Sequence, residues 1–117
     1  MTVRFFVLFT ALICCARCDR DEAKLRAEKI AAAYCQCTTP LMTLNQKAAG
    51  TQPEDMSAYL NAVQTAYNTA KQCNATAILA VYGKLNAEER ARVNKVLEKK
   101  CPDLATQNEW LLEMLGE

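Results

Sequence analysis

Two cysteines, Cys35 and Cys37, lie inside a run of apolar positions that repeats every seven residues. The run is Ala23, Ala27, Ile30, Tyr34, Cys37, Leu41, Leu44 and Ala48, with spacings that alternate between four and three. That pattern is the seam of a helix packed along its length on near-antiparallel neighbours. Residues two apart on a helix point about 200° from each other around the axis. Cys35 and Cys37 therefore cannot easily bond one another, and each faces a different neighbour. The smallest fold that satisfies them has a helix on either side of this one.

The rest of the chain supplies those helices. The first spans about Asp21 to Ala49, with a kink near Cys37–Pro40, because Pro40 removes a backbone donor and disfavours helix at Thr39. Gly50 ends it, and Thr51-Gln52-Pro53-Glu54 opens the second with proline and acids in the first turn. The second stripe is Met56, Leu60, Val63, Tyr67, Ala70, Ala77 and Val81, interrupted at Asn74 and stopped by Gly83. Asn86-Ala87-Glu88-Glu89 resembles a capping box and opens a third helix to about Lys100, with Val93, Val96 or Leu97, and Cys101 on its core face. After Pro102-Asp103 a short last helix runs from Leu104 to Leu115 through Trp110, Leu111, Leu112 and Leu115. No segment alternates as a strand does, and no internal repeat is present. The expected fold is all-α: a small antiparallel bundle of three main helices plus a short C-terminal helix, stapled by disulfides, over residues 19–117.

Residues 1–18 read as a signal peptide of possible lipoprotein type. Arg4 precedes an uncharged run from Phe5 to Ala16, followed at once by Arg17, Asp19, Arg20, Asp21 and Glu22. A dozen apolar residues suit an export signal, whereas a bilayer-spanning helix needs roughly 20. Leu12-Ile13-Cys14-Cys15 and Cys15-Ala16-Arg17-Cys18 resemble the bacterial lipoprotein signal, which implies acylation at Cys15 or Cys18 and a tether to the membrane. Ordinary cleavage near Ala16 to Cys18, releasing a soluble protein, is the alternative. The resemblance to short bacterial lipoproteins with helical mature domains covers only these first twenty or so residues. Cys14-Cys15 with Cys35-Gln36-Cys37 also resembles part of the eight-cysteine pattern of plant lipid-transfer proteins. That pattern requires two cysteines ahead of the adjacent pair, and this chain has none there.

Of seven cysteines, four lie beyond the signal: Cys35, Cys37, Cys73 and Cys101. An even number in an exported helical domain reads as two disulfides. A tight turn at Gly50–Gln52 puts Cys35 level with Tyr67, and a second turn at Gly83–Leu85 puts Tyr67 level with Cys101. The same register places Cys73 beside Lys29, roughly 10 Å from the Cys35–Cys37 level at 1.5 Å per residue. Cys35–Cys101 with Cys37–Cys73 is the expected connectivity, helix tilt or the Pro40 kink closing that gap.

The chain has 117 residues, 14 Lys+Arg, 13 Asp+Glu and no histidine. Lack of histidine excludes Ser-His-Asp and Cys-His nucleophile systems, His-ligated zinc and His-ligated haem. Removing Arg4 and Arg17 with the signal leaves 12 cations against 13 acids, which gives no electrostatic reason to expect a nucleic-acid partner. Glu88 and Glu89 are adjacent and point apart, so they make a poor acid/base pair, and no phosphate loop or nucleophile elbow occurs. The reading is a non-catalytic protein without cofactor or metal, acting in recognition or scaffolding of an envelope partner from the periplasm, the outer membrane or outside the cell. Trp110 and Leu111 are its candidate partner-binding residues. Two alternatives stand beside it: a carrier of a small apolar ligand, with Tyr34, Tyr59, Tyr67 and Tyr82 near the pocket, and a thiol-redox or soft-metal module using Cys35 and Cys37. Asn74-Ala75-Thr76 matches the N-glycosylation sequon. Glu88, Glu89, Arg90, Arg92, Lys95, Glu98, Lys99 and Lys100 read as a solvated face of the third helix.

Overall fold

The structure, a computed structural model, describes the backbone of residues 2–116 and the side chains of residues 20–48 and 50–116. The side chains of the expected signal peptide, Cys15 and Cys18 included, lie outside the described residues. Helix α1 spans Thr2–Gln46 and continues through Pro40 for six residues beyond it. Pro40 sits exposed on the helix surface. Thr39 donates its hydroxyl to the Cys35 carbonyl, and Thr43 donates to the Thr39 carbonyl at 3.0 Å, so side chains serve the backbone on both flanks of the proline.

The first connection is a pair of 3-10 turns, Ala48–Gly50 and Pro53–Asp55, around an extended Thr51–Gln52 link. Helix α2 (Met56–Asn74) then runs antiparallel to α1: Tyr59 donates to the Leu44 carbonyl at 2.9 Å near the connection, and Arg26 reaches the Tyr82 carbonyl at 3.0 Å at the far end. One π turn, Ala75–Leu79, joins α2 to the short α3 (Ala80–Tyr82). Gly83 ends this second arm at φ 77° and ψ −177°, a backbone conformation that only glycine adopts freely.

Asn86 caps α4 (Ala87–Lys100), its side-chain oxygen accepting from the Glu89 amide at 2.9 Å. The Glu89 carboxylate is drawn instead into an ion pair with Arg26 at 3.2 Å. The final segment is two helices, α5 (Pro102–Ala105) and α6 (Asn108–Leu115), where a single helix from Leu104 was expected. Pro102 starts a new helix after Cys101, and Thr106, whose hydroxyl donates to the Asp103 carbonyl at 2.7 Å, turns the chain into the second. Leu85 donates its amide to the Leu115 carbonyl at 2.7 Å, tying the C-terminal end to the turn before α4.

The core gathers Ile30, Tyr34 and Leu41 of α1, Ile78 of the π turn, Leu85 of the turn before α4, Val93 and Leu97 of α4, and Leu115 of α6, all fully buried. The α1 stripe thus packs largely as its spacing implies. The second stripe changes phase: Ala77 and Val81 are exposed, whereas Asn74 and Ile78 are buried. Burial steps by four from Ala70 to Asn74 to Ile78, and the wider π turn lies over this step. Met56 and Leu60 also remain in solvent, because α2 begins beyond the reach of the packed core.

Both expected disulfides are present. Cys35 bonds to Cys101 with Cα atoms 6.2 Å apart, and Cys37 bonds to Cys73 at 5.6 Å, within the usual span. Cys73 lies opposite Cys37 and not beside Lys29, because the two 3-10 turns displace α2 relative to a tight reversal. Two disulfides are the mark of an oxidising, extracytoplasmic compartment. Among the described residues, no helix is long and apolar enough to cross a membrane.

Candidate functional site

Helices α1 and α4 run parallel, since Arg26 pairs with Glu89 at one level and Cys35 bonds to Cys101 further along both. Between them lies an open groove of about 790 Å³. Its floor is Ala23, Ala27 and Val96. Small side chains four apart on α1 leave room where a larger residue would have met α4. The α1 rim carries Arg20, Lys24 and Glu28; the α4 rim carries Glu88, Arg92, Lys95, Glu98, Lys99 and Lys100. At 1.5 Å per residue the α4 wall runs roughly 18 Å from Glu88 to Lys100, and the α1 wall roughly 12 Å from Arg20 to Glu28.

Six cations thus face three carboxylates. Only Arg92 is paired within the groove, to Glu88 at 2.7 Å, an exposed i,i+4 contact. Arg20, Lys24, Lys95, Lys99 and Lys100 make no ion pair among the described residues. Their aliphatic stems line apolar floor while the charged ends stay in water. Within its span the two helices are tied by Arg26, which pairs with Glu89, bonds the Tyr82 carbonyl and stands 5.2 Å from the centre of the Tyr82 ring. Beyond it, next to Lys100 on α4, the helices are joined by the Cys35–Cys101 bond.

The sequence-expected residues fall elsewhere. Leu111 is 3 % exposed and belongs to the core, with Trp110 half-buried against it, so the pair is not offered to solvent as an apolar knob. Leu112 is the exposed apolar residue of that helix. Helical geometry explains the difference: α6 turns Leu111, Met114 and Leu115 inward. All four cysteine sulfurs of the bundle are engaged in disulfides.

The four tyrosines do not converge on a pocket. Tyr34 is fully buried, and burial, with nearby Tyr67, pushes its hydroxyl well above the usual tyrosine range. Tyr67 donates to the Glu113 carboxylate; that hydrogen bond, then burial, then the adjacent charge push its hydroxyl up to about 12. Tyr59 bonds the Leu44 carbonyl, and Tyr82 lies under Arg26. Asn74 of the sequon is fully buried, its amide donating to Thr38 Oγ1 at 3.0 Å and facing Met114 Sδ at 3.3 Å. The folded chain therefore presents no acceptor amide for a glycan there.

The sequence assigns Ala23 and Ala27 to the core stripe and the charges of α4 to a solvated face; Ala27 is buried in the core, Ala23 is half-buried, and Glu88, Lys95, Glu98, Lys99 and Lys100 are exposed. The signal that joins them is the parallel course of the first and third helices, which brings the cations of both to one groove. Compared with protein-family models, with curated proteins and with solved structures, the chain matches none.

Proposed function

We propose that this chain is a small exported, non-catalytic binding module of the bacterial cell envelope. It is held at the membrane by a lipid at Cys15 or Cys18, and it recognises or scaffolds an envelope partner. The observation that carries the reading is the α1–α4 groove, an open, cation-rimmed recess with an apolar floor, its two walls joined by an ion pair within its span and by a disulfide beyond it. A recess between covalently fixed helices is pre-organised, which lowers the ordering cost of binding. A tethered chain needs two or more acyl groups for stable anchoring, because one binds only marginally.

Intact mass of the protein from native membrane and soluble fractions tests the export and tether. A mature mass that begins at Cys15 or Cys18 and carries acyl chains is expected in the membrane fraction, with no thiol alkylated before reduction. Photo-crosslinking residues placed at Val96 and Lys24 test the recognition surface in cells. Discrete adducts from those positions are expected, with none from the exposed Gln72 on α2. Adducts from Gln72 alone would remove the groove from the reading.

A further inference from the structure

Resting on that reading and deepening it, we infer that the α1–α4 groove receives an acidic amphipathic helix of an envelope protein. The floor fits a helix. Ala23 and Ala27 are one turn apart on α1, and Val96 lines the same recess further along on α4, so the seam offers shallow holes for the apolar knobs of a third rod. The length fits as well, since the α1 wall of roughly 12 Å and the α4 wall of roughly 18 Å accommodate about two to three helical turns. The groove is open along its side, whereas a pocket for a small ligand encloses 70–90 % or more of its guest. Helix-in-groove recognition uses this kind of surface.

The rims determine the sign of the partner. Lys24 on one wall and Lys95 and Lys99 on the other flank the seam without ion-pair partners among the described residues. Flanking charges of this kind select a helix by complementarity and reject one of like sign. Glutamates on either side of an incoming apolar stripe satisfy these lysines; a basic helix meets a net excess of cations, six against the carboxylates of Glu28, Glu88 and Glu98. The contacts are exposed, so they set specificity and association rate more than raw affinity.

The test uses the full mature protein with both disulfides formed and a designed 18-residue helical peptide with a Leu/Ala seam flanked by Glu. Its controls are the same peptide with Lys in place of Glu and a scramble of the same composition. Fluorescence anisotropy is expected to show the Glu peptide binding at least tenfold more tightly than the Lys peptide, with affinity falling as salt rises. Lys95→Glu with Lys99→Glu is expected to weaken binding at least tenfold while leaving the melting curve in place. Equal binding of the two charged peptides, or an unaffected double variant, overturns the proposal.

Three other occupants are read by the same experiments. Binding to phosphatidylglycerol vesicles over phosphatidylcholine that the Glu peptide does not compete overturns it in favour of a lipid surface. Self-association that Glu109→Lys with Glu113→Lys abolishes overturns it in favour of α6 from a second copy. A Val96 crosslink in cells to a basic segment or a lipid overturns it while keeping the binding-module reading. A crosslink to an acidic helical segment supports it, and no crosslink from any groove position removes both.

Discussion

Asn74 on α2 donates its amide to Thr38 Oγ1 on α1, one residue beyond the Cys37–Cys73 bond on each helix. Both side chains are fully buried, so a covalent link and a polar link lie side by side across the same helix pair. The polar link fixes rotational register, because neither group finds another strong partner nearby.

Thr38→Val is expected to destabilise the fold by about 1–3 kcal/mol, the cost of a buried donor left with only the weak Met114 sulfur acceptor. Urea denaturation measures it. Thr38→Val combined with Asn74→Leu should lie closer to the wild type than Thr38→Val alone, since an apolar pair leaves no orphaned amide. A double variant much weaker than the single would show that shape, not hydrogen bonding, governs the site.

The disulfides differ in access. Cys73 is exposed whereas Cys35 and Cys101 are half-buried, so limited reduction should open Cys37–Cys73 first. Alkylation followed by peptide mapping detects the order. Replacing Cys35 and Cys101 by Ala should cost about 4 kcal/mol by loop-closure entropy, and replacing Cys37 and Cys73 slightly less, because sequence separations of 66 and 36 enter logarithmically.

Alkaline titration reports the Tyr67–Glu113 bond. The Tyr67 hydroxyl stands at about 12 in the folded chain against 10.0 for the unperturbed group. A group raised on folding contributes stability that is complete below its unfolded value and is lost as pH climbs through its folded value. Stability should therefore fall between about pH 10 and 12, with Tyr34 adding to the loss in the same direction. Glu113→Gln should bring Tyr67 down in an ultraviolet titration of the phenolate. An unchanged titration would dissociate the shift from the carboxylate.

Neighbouring leucines of α6 should behave as opposites. Leu111→Ala is expected to cost about 2–5 kcal/mol as a buried truncation. Leu112→Ala, at a position 46 % exposed, should stay within about 0.5 kcal/mol. Similar losses at both would place α6 in a different rotation about its axis.

Much of this fold is legible from side-chain spacing. The α1 stripe, the Gly83 stop and the Asn86 cap are local chemistry, and local chemistry survives into the structure. The CxC pair fixes two neighbours for α1 by geometry alone. What escapes is whatever depends on a change of helical phase. Ala77 and Val81 look like core because the π turn is invisible in composition, and Asn74 looks like an interruption because its partner, Thr38, is 36 residues away. The groove escapes for a related reason. Its two walls are more than fifty residues apart, and nothing in the α1 stripe tells that Ala23 and Ala27, the latter buried in the core as expected, also border a recess.

Cys35 and Cys37 anchor both bonds within a single turn of α1, so the bundle is belted at one height rather than riveted along its length. Lengthwise slippage is barred there, and the Arg26–Glu89 ion pair ties α1 to α4 again further along. The recess between α1 and α4 lies wholly on one side of that belt. A guest seated there meets walls whose relative height is already set, so its arrival leaves the alignment of the three rods unchanged.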